Sequence, residues 1–140
     1  MQFMEKDHDR LDGIFKSFQK SKNASFFHDF KIGLQRHIIW EEDILFPIFE
    51  DKTGMKNVGP TEVMRMEHRQ IKEFLEKIHD TLGEDTKVFE NGLLNVLIEH
   101  NNKEESILYP SIDNEINEKE LASIFKKMKS IPVERYNRCC

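Results

Sequence analysis

Apolar positions along most of this chain recur at alternating steps of three and four, the spacing that gathers one face of an α-helix. Met4, Leu11, Phe15 and Phe18 mark the first stripe and predict a helix from about Phe3 to Lys20. The cap-type residues of SKNAS, 21–25, break it. A second helix from about Ser25 turns Phe27, Phe30, Leu34, Ile44 and Ile48 to one side, and Gly54 is placed to end it. A third starts near GPTE, 59–62, and presents Met64, Ile71, Leu75, Ile78 and Leu82. After GEDT, 83–86, a fourth carries Phe89, Leu93, Val96 and Ile107. A fifth amphipathic segment, EKELASIFKKMKSI, is expected to pack back across the others. No alternation of strand period runs for a useful length. Short connections join antiparallel neighbours, so the fold class is all-α. The expected domain is an up-down-up-down four-helix bundle over residues 1–115, with a short C-terminal helix and tail, 116–140, on the same domain.

The pattern is written twice. HIIWEEDILFP at 37–47 and HNNKEESILYP at 100–110 share six of eleven positions, and Phe46 against Tyr109 keeps the aromatic. Met4, His8, Leu11, Phe15 and Phe18 are matched in spacing by Met64, His68, Ile71, Leu75 and Ile78. Helices one and two therefore form one αα-hairpin and helices three and four its copy, packed about a pseudo-twofold axis. A group placed inside by one hairpin faces its equivalent from the other.

Hydrophobic patterning has no reason to repeat the polar members of these stripes: His8, His37, Glu41, His68, His100 and Glu104. Positions i and i+4 of a helix lie about 6 Å apart along the axis on one face, so His37 stands with Glu41 and His100 with Glu104. The doubled Glu-Glu leaves Glu105 in reach as well, with i+4 the better geometry. A single histidine on an apolar stripe is usually a satisfied core residue. Six such groups are another matter, because each buried charge costs several kcal/mol unless paired or ligated. A divalent metal returns on the order of 10 kcal/mol. Two halves, each offering two imidazoles and one carboxylate, imply two metals bridged by Glu41 and Glu104. With no thiolate in the core, iron or manganese suits this donor set better than structural zinc. A ferritin-like site asks for Glu-x-x-His from two helices. Glu5–His8 supplies that spacing, but Arg65–His68 does not.

Composition narrows the function without changing the picture. The chain has 140 residues, 34% of them charged, only four prolines and six glycines, and a net charge of −5. Lys and Arg are interleaved with acids, so no nucleic-acid-binding face is expected. No apolar stretch nears the roughly 20 residues of a membrane span, and the charged MQFMEKDHDR carries no secretory pattern. Cys139 and Cys140 are adjacent, which is no disulfide framework; a tail with free thiols in a reducing cytoplasm is the expectation.

DHDRL, HIIWEEDILFP, MEHRQI and HNNKEESILYP, in that order on four helices, resemble the hemerythrin-like, or HHE cation-binding, domain. The resemblance covers residue 1 to about 115. It implies a non-haem di-iron centre with carboxylate bridges, open to O2 or a related small molecule such as peroxide or NO. One iron would take His8 and His37, the other His68 and His100, with Glu41 and Glu104 bridging both. Oxygen-carrying hemerythrins have a fifth histidine on the third helix; here the matching places hold Met64 and Lys72, with Met64 on the inner stripe as packing. Both irons would then be short of ligands, with water, Glu42, Glu105, Glu5 or Glu67 available to complete them. The implied function is a di-iron protein that binds or reacts with O2, drawing on an electron donor. The alternatives are an iron-handling protein of nitrosative or oxidative stress that donates iron for repair, or a di-iron oxidase or peroxidase. Trp40, Phe46 and Tyr109 are expected to pack the bundle, with the Tyr109 hydroxyl able to donate near the metal. His28 and His79 are expected at the surface. Pro47 and Pro110 are expected to kink or end their helices.

Overall fold

The computed structural model describes residues 1–137. Its helices are α1 (Gln2–Ser21), α2 (Ala24–Trp40), α3 (Phe46–Thr53), α4 (Pro60–Asp80), α5 (Lys87–Lys103), α6 (Tyr109–Glu115) and α7 (Glu118–Ser130). A single 3-10 turn, Val133–Arg135, follows, and there is no strand among the described residues. Cys139 and Cys140 lie outside the described residues.

Local chemistry sets the boundaries. Lys22 adopts a left-handed conformation after α1 and its N–H donates to Phe18 O; Asn23 then caps α2 by accepting from the Ser25 N–H at 2.9 Å. That two-residue connection leaves α2 no course but to run back along α1, and the two pack together as α4 and α5 do. Gly54 ends α3 at φ 76° with its N–H on Glu50 O. Pro60 opens α4 in the first turn, where a missing N–H costs nothing. α7 begins with a reciprocal cap: Asn117 Oδ1 accepts from the Glu120 N–H at 2.8 Å, and Glu120 Oε1 accepts from the Asn117 N–H at 3.2 Å.

Neither proline ends its helix. α2 and α3 are joined by a π-turn, Glu41–Leu45, and α5 and α6 by a second, Glu104–Leu108. The chain stays helical through both, with the Phe46 N–H reaching Glu41 O and the Tyr109 N–H reaching Glu104 O. Each wide turn absorbs one extra residue just ahead of a proline, which has no donor to contribute. The chain is therefore helical through 24–53 and 87–115, and neither proline brings the expected stop.

Two apolar clusters fill the bundle. One holds Leu11, Phe15, Phe18, Phe27, Phe30, Ile71 and Leu75, with Phe15 against Phe30 at 4.6 Å and Phe18 against Phe27 at 5.3 Å between ring centroids. The other holds Met4, Phe46, Met64, Leu108, Ile112 and, from α7, Ile124 and Met128. Along every long helix the polar residues of the inner stripe fall between the two, as His8 does between Met4 and Leu11. Met64 packs in the second cluster, where the inner-stripe reading put it. His28 and His79 are half-buried rather than at the surface. Their rings face each other at 6.0 Å, and His79 Nδ1 lies 3.3 Å from the buried Lys31 ammonium, which pairs with Glu76 at 2.8 Å.

Candidate metal centre

The polar layer is built in two shells. His8 on α1, His37 on α2, His68 on α4 and His100 on α5 are each at most 3% exposed, and Glu41 and Glu104, the first residues of the two π-turns, are fully buried. Every imidazole offers Nδ1 to a carboxylate. His37 Nδ1 donates to Asp7 at 2.8 Å and His100 Nδ1 to Glu67 at 3.0 Å, both within one hairpin. His8 Nδ1 donates to Glu105 at 2.8 Å and His68 Nδ1 to Glu42 at 2.6 Å, both between hairpins. A carboxylate there only accepts, so the Nδ1 proton is fixed and each Nε2 is turned inward. Two of these acids are anchored from outside, Asp7 by Arg10 at 2.9 Å and Glu67 by Lys103.

Inside, His68 Nε2 lies 3.1 Å from Glu41 and His100 Nε2 3.2 Å from Glu104. His8 Nε2 lies 3.2 Å from Glu104 and His37 Nε2 3.7 Å from Glu41. Two overlapping sets of metal-ligating atoms result: Glu41, His68, His100 and Glu104, and His8, His37 and Glu104. Glu104 belongs to both. All six residues singled out by the sequence are in this layer. Glu104, not Glu105, faces inward, while Glu105, Glu42 and Glu67 accept from Nδ1 atoms.

The electrostatics follow from burying two carboxylates among four imidazoles. Burial and the adjacent Glu104 raise the Glu41 carboxyl above its usual range. Glu104 is held well below its own: burial opposes this, but Glu41, His100 and His8 all donate to it. His8 is pushed up to about 9, against its burial, by Glu104 and Glu105. His68 is likewise pushed up to about 9, by Glu41 and Glu42. Burial and the same two inner glutamates push the Tyr109 phenol well above 10. Glu104 Oε2 is buried with no hydrogen-bond partner, an orphaned acceptor of the kind that folding avoids unless a ligand meets it. The donor set of imidazoles and carboxylates fits iron or manganese.

Sequence reasoning missed Asp7, and it offered Glu67, Glu42 and Glu105 as ligands to complete the metals where the structure sets them behind the imidazoles. The available signal for Asp7 was its position, directly before the first histidine of its hairpin. Tyr109 packs inside the bundle as expected, its ring fully buried and its hydroxyl on the inner carboxylates. Nine α-helical steps of about 100° would set Tyr109 about 180° around from His100; the residue taken up by the π-turn brings it back to within about 80°.

The family model for the hemerythrin HHE cation binding domain matches residues 1–112. Over 89 residues the chain is 36% identical to an iron-sulfur cluster repair protein YtfE of Escherichia coli O81, strain ED1a, and 35% identical to the protein of that name in Escherichia fergusonii. Each alignment takes in 55% of this chain and 40% of the relative, so the chain spans well under half the length of these curated relatives. No solved structure matches. No helix among the described residues is long and apolar enough to cross a membrane. With its doubled His and Glu set buried at the centre of the bundle, this chain belongs to the hemerythrin HHE cation-binding family.

Proposed function

We propose that the bundle holds two iron ions, one between His8 and His37 and the other between His68 and His100, bridged by Glu41 and Glu104, and that this centre reacts with O2 or a similar small molecule. The observation that carries the proposal is the pair of ligand sets sharing Glu104, with all four imidazoles held from behind by carboxylates. An iron pair supplies one-electron and two-electron reduction of such molecules. The chain's own contribution is preorganisation: ligands fixed by Nδ1 partners, water excluded by apolar clusters above and below, and a phenol hydroxyl beside the inner carboxylates. A void of about 10 Å³ lies beside His8 among Leu11, Phe30, Leu34 and Leu97. It shares Asp12, Phe30 and Leu97 with a surface groove of about 270 Å³.

The second reading is a protein that handles iron under nitrosative or oxidative stress and donates it for repair, favoured by the likeness to relatives named for iron-sulfur cluster repair. Iron content and the optical spectrum, taken anaerobically reduced and again after air, test both. Two irons per chain and a new absorption on exposure to air support the reactive centre. Iron that a chelator strips rapidly, with no optical response to air, supports donation. One tightly held zinc ion and no optical change would overturn both.

A further inference from the structure

Inside the layer the two halves differ at the matched aromatic position. Where the first hairpin has Phe46, which stacks on His68 at 5.8 Å and 11°, the second has Tyr109. The Tyr109 oxygen lies 3.3 Å from His8 Nε2 and 3.2 Å from His37 Nε2. It also lies 2.8 Å from Glu41 Oε2 and 3.2 Å from Glu104 Oε1. One hydroxyl has one proton, and the shortest contact, to Glu41, takes it. His37 has committed Nδ1 to Asp7, so its Nε2 lone pair is aimed at the phenol oxygen rather than satisfied by it.

Such spacings also match the edges of a coordination shell. For ligand distances of about 2.1 Å, neighbouring ligand atoms lie about 3.0 Å apart in octahedral and about 3.4 Å in tetrahedral geometry. The contacts from the Tyr109 oxygen to both imidazoles and to Glu104 fall between those limits, as does His8 Nε2 to Glu104 at 3.2 Å. The His68 and His100 side also gathers four ligating residues, but the His8 and His37 side only three. With Glu41 farther from this side, 3.7 Å from His37 Nε2, Tyr109 adds an oxygen beside the two bridging carboxylates.

We infer that Tyr109 is a metal ligand, binding through its phenol oxygen to the ion held by His8 and His37, and that the two metal positions are chemically unequal. On ligation the O–H bond is exchanged for an O–metal bond and the proton leaves to solvent. The ion on the His68 side, walled by Phe46, receives no such ligand. This inference rests on the two-iron reading above and adds to it a ligand on the side opposite the missing histidine.

The test is the optical and resonance Raman spectrum of the ferric protein, with iron content measured on the same sample. A phenolate-to-iron charge-transfer band in the visible is expected, with tyrosine ring modes enhanced on excitation into it. Tyr109→Phe should lose the band and keep its fold, because phenylalanine already fills the matched position 46; Tyr136→Phe should leave the band unchanged. Growth on ring-deuterated tyrosine should shift the enhanced modes in the unaltered chain, which settles the matter even if the Tyr109 variant misfolds. Two bound irons with no such band, or a band that survives in Tyr109→Phe, would overturn the inference and spare the two-iron reading. A chain that takes up no iron would overturn both.

Discussion

Glu42 and Glu105 do different work from the glutamates that precede them, although each pair is adjacent in sequence. One helical step turns a side chain by about 100°, enough to send Glu41 and Glu104 inward and their successors to the backs of His68 and His8. Carboxylates in that position fix the ring, its tautomer and its basicity. Glu105→Ala and Glu42→Ala should each lower metal affinity by about 10–100-fold, read by competition with a chelator. The corresponding glutamine variants keep an acceptor and should fall between. Because these two side chains are 38% and 25% exposed, far-UV circular dichroism should not move. Unchanged affinity in the alanine variants would remove their role in holding the imidazoles. The inner six were readable because a histidine or glutamate on an apolar stripe contradicts its surroundings. Asp7 and Glu67 contradict nothing: a carboxylate on an amphipathic helix looks like part of its solvated face, and only the folded partner reveals its use.

At the level of the helices, the π-turns decide what the second half of each long rod buries. Without them, Leu108, Tyr109 and Ile112 would rotate by about 100° relative to Glu104, out of a core where each is at most 1% exposed. Deleting Ser106, an exposed residue within the second π-turn, removes the extra residue and restores an α register. Each lost burial costs about 1.5–3 kcal/mol. Three together consume much of the roughly 5–15 kcal/mol that holds a domain folded. The deletion should therefore melt far below the unaltered chain or fail to fold, whereas Ser106→Ala should melt within a few degrees of it; thermal melts followed by circular dichroism check both. A deletion variant as stable as the parent would show that the wide turn is dispensable. Helix number, the hairpin repeat and the inner stripes were legible because 3.6-residue periodicity writes them directly. The π-turns were not, since a single added residue leaves the apolar count intact and a following proline reads equally well as a kink or a stop. What could have pointed to them is the register: Phe46 and Tyr109 lie nine residues after a histidine, on the wrong face of an ideal helix yet too apolar for the outside.

For the whole molecule, the consequence of a polar layer between two apolar clusters is that its charge must be balanced on the spot. Without metal, protons provide the balance. His8 and His68 rise from 6.5 in the unfolded chain to about 9 in the bundle. A base held above its unfolded value stabilises the fold fully below that value and loses the contribution as pH climbs through the folded one. The metal-free protein should therefore be most stable near and just below about pH 6.5 and weaken steadily toward about pH 9. It should weaken again in acid as Glu104, Asp7 and Glu42 take up protons. The raised Glu41 carboxyl acts in the same direction as the two histidines, since its ionisation adds a second negative charge beside Glu104. A bound cation reverses the dependence, because ligation needs neutral imidazoles and ionised carboxylates and releases the protons they held. Metal affinity should rise over the same interval in which the metal-free fold weakens. Thermal melts of chelator-treated and metal-loaded protein, from about pH 6 to about pH 10, should diverge, with the gap widening upward. A gap that stayed constant across that range would mean that the layer does not exchange protons for metal, and would leave the raised histidines as features of the fold alone.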